Sequence, residues 1–218
     1  MKLEEIESVL CTTGKFDIIC MSETWLCSKT SDDKIKIENY TLYRRDQDSD
    51  CGYGGVCIYV SNSLKSKRNL TYQSDGIELV WIEIQIEKLN ILIGSCYRPP
   101  NQPADEKHIF LTKLQDSIDT VKLDSPDAVL ILGDFNDKCN KWSDNHIASE
   151  LGNKLVELSE SRHFDQIIKE PTRYNDNSDS LLDLIFCDAP YLITDSGVTS
   201  PLSNLDHCTI FCKLNIKY

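Results

Sequence analysis

Two hydrophobic periods, one helical and one of two residues, divide this chain. "MKLEEIESVL" sets Leu3, Ile6, Val9 and Leu10 on one side, which predicts a helix near 3–13. After Gly14, the run Ile18 to Met21 reads as a buried strand, and Glu23 lies just past it. "NYTLYRRD" leads into "DQDSDCGYGG", a polar, glycine-rich loop. "GGVCIYVSNSL" is a strand in which Val56, Ile58 and Val60 alternate with Cys57 and Tyr59. "GIELVWIEIQIEKLNILIGSCYRPP" gives two strands with a tight turn near Glu87–Asn90. In the first of them, Leu79, Trp81, Glu83 and Gln85 alternate with Val80, Ile82, Ile84 and Ile86, so one covered face and one more exposed face are expected. Pro99 and Pro100 stop the second.

A helix from about 105 to 122 is marked by Ile109, Phe110, Leu114, Ile118 and Val121. "VLILGDFN" is the next strand, and "SELGNKLVELSESRHF" a second helix ending before Phe164. "DQIIKEPTRY" is a short strand and a turn; "SLLDLIFCD" and "DHCTIFCKLNI" are strands. Many strands, few helices and short connections suggest two packed sheets with helices outside them, a pattern shared with other α/β folds. No repeat or linker divides the 218 residues, so a single domain is expected.

Composition narrows the chemistry. Apolar residues make up 40% and charged residues 27%, and no apolar run is long enough to span a membrane. The net charge of -12 argues against holding nucleic acid by a general positive field, though clustered carboxylates suit a metal-dependent phosphoesterase. "SLKSKRNL", with Lys65, Lys67 and Arg68, is a small basic patch at a strand edge or loop. Of 10 cysteines, Cys20, Cys57, Cys96, Cys187, Cys208 and Cys212 sit in or beside apolar runs, and reduced core thiols are expected.

Polar groups recur at the ends of apolar strands: Glu23, Asp134, Asn136, Asp183, Asp206 and His207. Alternation puts Asp134 and Asn136 on one side and Phe135 on the other. One such residue can be a strand-end cap. The repetition around the chain points to a site, because a buried carboxylate is costly unless paired or metal-bound. Glu23 with Asp206 or Asp134 offers oxygen ligands suited to a hard cation.

"SETWL", "YRPP", "GDFN", "SLLDLIF" and "NLDHCTI" occur in this order along nearly the whole chain. The ordered set resembles the endonuclease/exonuclease/phosphatase superfamily, above all the apurinic-type endonuclease domain of non-LTR, LINE-type retrotransposons. The resemblance implies an α/β fold, a four-layer α/β/β/α sandwich of two mixed sheets of the DNase I-like kind. It implies Mg²⁺-dependent (or Mn²⁺-dependent) phosphodiester hydrolysis that nicks double-stranded DNA. By it, Glu23 is the main metal ligand and Asp206 assists with metal or water. Tyr97 borders the scissile phosphate, Asp134 positions or activates water, and Asn136 holds water or phosphate. His207 contacts the phosphate oxygen and Asp183 orients it. Thr172 and Ser180 resemble DNA-contacting positions, and Arg98 is expected to touch phosphate. It further implies a reverse transcriptase domain in the parent polyprotein, no membrane, a monomer, and an intracellular, nuclear location.

Two departures bear on activity. Leu205 stands where the family's last motif carries a serine. Family members also begin with a strand that ends in an asparagine. "MKLEEIESVLCTTGKFD" holds no asparagine and reads as the helix after that strand, so a missing first strand is expected, with ladder bonds stripped from its neighbours. A small-molecule or lipid phosphoesterase, or a catalytically dead remnant, would share the same central residues.

Overall fold

The computed structural model of the chain describes residues 16–47, 52–139, 141–142, 149–175, 178–202 and 205–216. The helix expected at 3–13 lies outside them. The centre is a six-stranded mixed sheet in the order β4-β5-β6-β7-β11-β8. Its strands are β4 (Lys65–Arg68), β5 (Glu78–Ile86), β6 (Leu89–Tyr97), β7 (Ala128–Asp134), β11 (Asp183–Cys187) and β8 (Asp165–Gln166). β6 and β7 are parallel, joined by the crossover helix α1 (Ala104–Leu123); the other neighbours are antiparallel. α2 (Glu150–Ser161) begins at Ser149, whose hydroxyl accepts the Gly152 N–H and so caps an otherwise open helix end.

Both faces of this sheet are covered. On one, Leu79, Trp81, Leu92, Val129, Ile131 and Phe186 pack against Phe110, Leu114 and Ile118 of α1 and Leu151 and Leu155 of α2. On the other, Val80, Ile82, Ile93 and Leu130 meet Val56, Ile58 and Val60 of β3 (Val56–Ser61). The two-faced alternation expected for β5 therefore holds only at its far end. Leu79 and Trp81 lie under a helix and are as buried as Val80 and Ile82. The indole N–H of Trp81 is satisfied by Ser117 Oγ at 2.8 Å, which makes its burial tolerable.

The second layer comes in two antiparallel pieces, β1-β3-β2 and β12-β13. They comprise β1 (Ile18–Ser22), β2 (Tyr40–Arg45), β3, β12 (Ile193–Pro201) and β13 (Cys208–Leu214). Cys20 on β1 and Cys212 on β13 face the same apolar cluster and lie close enough to interact electrostatically. Among the described residues, β1 and β13 each pair on one side only. A small hairpin, β9 (Arg173–Asn175) and β10 (Ser178–Ser180), completes the set.

The expected basic patch forms the edge strand β4, where Lys67 pairs with Glu83 at 3.1 Å and Arg68 donates to the Arg44 carbonyl and to Gln73. Seven cysteines, Cys20, Cys57, Cys96, Cys139, Cys187, Cys208 and Cys212, are free thiols. Cys27 departs from the reduced state expected: it is disulfide-bonded, and it lies in the loop after β1 rather than in an apolar strand.

The parallel pairing of β6 and β7 depends on one glycine. Gly133 is in register with Cys96 and has φ of 149°, a conformation that side chains avoid. A Cβ there would fall inside the Cys96 carbonyl oxygen. Gly133→Ala is expected to lower unfolding free energy by about 3 kcal/mol or more, from backbone strain and overpacking together. Urea denaturation of the two proteins measures it; equal midpoints would show that β6 and β7 can separate freely.

Candidate active site

Three of the expected site residues, Tyr97, Asp134 and Asp183, fall on one transverse row of the central sheet. Register puts Glu78 beside Tyr97, Tyr97 beside Asp134, and Asp134 beside Asp183, across β5, β6, β7 and β11. β6 and β7 run parallel, so their last residues emerge at the same edge, where β11 begins. Phe135 turns the other way, into edge-to-face contact with Phe110 and Phe186.

His207 is brought to this row by Thr172. The Thr172 carbonyl accepts the Cys208 N–H at 2.7 Å, which docks the start of β13. Its Oγ1 accepts the N–H groups of Leu182 (3.1 Å) and Asp183 (3.0 Å), which fixes the start of β11. Nδ1 of His207 then meets Asp183 Oδ2 at 2.8 Å. Burial alone would push the His207 pKa down. The hydrogen bond and charge of Asp183, with the charges of Asp134 and Asp206, overcome this and bring it up to about 8. Asp134 is 3% exposed, and burial together with the neighbouring Asp183 charge holds its carboxyl well above the usual carboxylate range.

Glu23 joins from the second layer. Its Oε1 accepts the Tyr97 hydroxyl at 2.7 Å. Tyr97's own pKa is raised, by burial first and then by the Glu23 bond and charge. Glu23 and Trp25 have φ of 51° and 53°, held by a strap made of Gly54 and Gly55. The Thr24 N–H donates to Gly55 O (3.2 Å) and the Trp25 N–H to Gly54 O (2.8 Å). Glu78, from the row itself, accepts the Gly55 N–H. A Cβ on Gly54 would lie 2.6 Å from Glu78 Oε1, and one on Gly55 would lie 2.5 Å from Thr24 Oγ1, so the strap has room only for glycine.

Several expected contacts are corrected. Arg98 does not reach out to phosphate: it is 1% exposed, and its guanidinium donates to the carbonyls of Phe135 (2.6 Å) and Asn136 and to Asp137 (3.2 Å). It clamps the turn after β7 because a buried cation must use its donors inside. Thr172 and Ser180 are buried as well, at 0% and 4% exposed, and brace the site rather than offer a DNA surface. Asn136 spends both amide hydrogens inward, on Asp134 Oδ2 (2.8 Å) and the Arg98 carbonyl (2.9 Å); only its oxygen remains, an acceptor that can take a hydrogen bond from water but not hold a phosphodiester. Asp206 is not in the donor cluster expected of a metal ligand. Arg173 holds its Oδ2 at 2.7 and 2.8 Å, and this pairing outweighs partial burial and lowers its pKa.

The donor set fits a hard divalent cation. Asp134, Asp183 and His207 each offer a ligand atom within 4.8 Å of the others. Glu23 is exposed nearby, and two carboxylates set side by side favour a bound positive charge. Sequence reasoning missed Glu78, Asp137 and the strap. The "GYGG" of the loop was the one signal, since paired glycines mark close backbone approach.

This fold, with an acidic row and a carboxylate-bound histidine at its edge, defines the DNase I-like class of endonuclease, exonuclease and phosphatase proteins. The chain belongs to the endonuclease-reverse transcriptase family, whose sequence model matches residues 91–211. Among solved structures it is similar to the endonuclease domain of TRAS1, a telomere-specific non-LTR retrotransposon (16% identity, TM-score 0.76, covering 99% of this chain and 93% of that one). It is also similar to the AP endonuclease LMAP of Leishmania major (13%, TM-score 0.76, 94% and 79%). A third is the Neisseria 3' phosphatase NExo bound to a product DNA hairpin (14%, TM-score 0.74, 98% and 94%). A search of curated proteins found no match.

The Asp183–His207 pair sets a pH dependence. Because the folded pKa lies above the ordinary 6.5, the pair stabilises the fold fully below about pH 6.5, and that contribution is lost as pH rises through about 8. In metal-free protein, Asp183→Asn should bring the His207 pKa down from about 8, since burial remains and the Asp183 hydrogen bond and charge do not. NMR titration of the imidazole measures it, and an unchanged pKa would show that the pair does not form. Thr172→Val should cost about 1–3 kcal/mol, the penalty for leaving buried N–H groups without an acceptor, read by urea denaturation.

Proposed function

We propose that the chain is a divalent-metal-dependent DNA endonuclease that nicks duplex DNA in the manner of a retrotransposon endonuclease domain, and that chromosomal DNA in the nucleus is its target. The observation that carries the reading is the single row of Tyr97, Asp134 and Asp183, with His207 bonded to Asp183 and Glu23 bonded to Tyr97.

The residues divide the work of phosphodiester hydrolysis. His207, protonated near neutral pH, has Nδ1 engaged by Asp183, so its Nε2 hydrogen is the one that can donate to a phosphate oxygen as charge grows there. Asp134, with its raised pKa, is suited to take a proton from the attacking water. The backbone and amide donors of Asn136 hold both Asp134 oxygens in place. Tyr97 fixes Glu23 by its hydroxyl. Mg²⁺ or Mn²⁺, held by Glu23 and the neighbouring carboxylates, would neutralise phosphate charge and acidify bound water.

A supercoiled plasmid with Mg²⁺ should be converted to the nicked form by wild type. His207→Ala should slow this by roughly 10²–10⁴-fold, the usual range for a positioned acid–base group. Calorimetric titration of Mg²⁺ should show weaker binding to Glu23→Gln than to wild type; equal heats would remove Glu23 from the metal site. Release of 3' phosphate from an oligonucleotide without any plasmid nicking would instead mark a phosphatase.

A further inference from the structure

Trp25, two residues beyond the metal-binding candidate Glu23, forms an exposed aromatic pair with Tyr53. They are 55% and 77% exposed, with ring centroids 5.2 Å apart and planes at 89°. At that angle each ring leaves at least one face uncovered by the other. Buried Thr24 separates Glu23 from Trp25, so both side chains emerge toward water. The indole is not there by default. Positive φ is a costly conformation for a bulky residue, and Trp25 is kept in it by the Gly54–Gly55 strap, which carries Tyr53 at its start and is itself anchored by Glu78.

The electrostatics around the cleft call for such a surface. The chain carries a net charge of -12. The arginines of the site are engaged: Arg98 inside the β7 turn, Arg173 on Asp206, and Arg45 on the Ser74 carbonyl and Asp75. Phosphate contacts, which usually dominate affinity for nucleic acid, are therefore restricted here. Flat π surfaces bind bases without needing charge. A base inside a continuous duplex has both faces covered by its neighbours; only an unpaired one can offer a face to an indole.

We infer that Trp25, buttressed by Tyr53, stacks on an unpaired nucleobase beside the scissile phosphate, so that the site prefers DNA whose strands are locally separated over continuous duplex. This rests on the nuclease reading and specifies its substrate.

The test uses the full chain and two labelled DNAs of one sequence, a continuous duplex and the same duplex with a central mismatched bubble. Binding is read by anisotropy in EDTA, so that cleavage plays no part. Wild type should bind the bubble about 10-fold more tightly, the scale of one base–aromatic stack. Trp25→Ala should abolish that preference with little change for the duplex, and Trp25→Phe should retain most of it. Trp81 is fully buried and Trp142 half-buried, so quenching of the remaining indole by bubble DNA gives a second readout in wild type alone. Equal affinity for the two DNAs, or Trp25→Ala weakening both alike, overturns the inference. Equal nicking rates on both DNAs in Mg²⁺ would overturn it and leave the nuclease reading standing; failure to bind or nick either would remove both.

Discussion

Asp134 and Asp183 stand directly opposite each other on neighbouring strands, and the architecture around them answers their mutual repulsion. Like charges in that position destabilise a sheet, and burial makes the cost larger. His207 supplies a cation on one side. Asn136 gives two donors to Asp134 on the other. Thr172 ties both His207's strand and Asp183's strand to one buried side chain and its carbonyl. Even the glycine before Asp134 belongs to this solution, because the parallel approach of β6 and β7 sets where the carboxylate surfaces.

The sequence disclosed what has a local period. Both described α-helices and the long strands of the central sheet stand close to where hydrophobic spacing put them, α1 at Ala104–Leu123 against about 105–122. Strand β12, "ITDSGVTSP", escaped because it is polar and half-exposed, with no alternation to mark it. The face of β5 under α1 looked more exposed than it is, since Glu83 and Gln85 dominate the pattern at one end. The site was legible as a set of strand-end polar residues. Their supporting bonds were not, because Arg98 to Phe135 and Thr172 to Asp183 join positions far apart in sequence. An arginine beside two prolines gives no local sign that it will be buried.

The strap links these two kinds of information. Glu78 lies in the same transverse row as Tyr97 and Asp134, yet its carboxylate faces the loop that holds Glu23 and Trp25. The central sheet thus positions, through one side chain, a segment of the second layer. Membership of the endonuclease-reverse transcriptase family fits this division, in which a rigid sheet carries the reactive groups and loops present them.

The placement of the thiols has a consequence for how the molecule opens. Cys20 and Cys212 face one apolar cluster from β1 and β13, and burial, with repulsion between the two thiolates at Cys20, pushes their pKa values up to about 12 and about 11. Such thiols react slowly with alkylating reagents while the fold is closed. Cys57 and Cys96 lie deeper, on β3 and β6, fully buried. The order in which these four become labelled traces which layer parts first, since units of a fold open locally before global unfolding. The chain therefore carries, in its own interior, chemical probes spaced from its half-buried second layer to its fully buried centre.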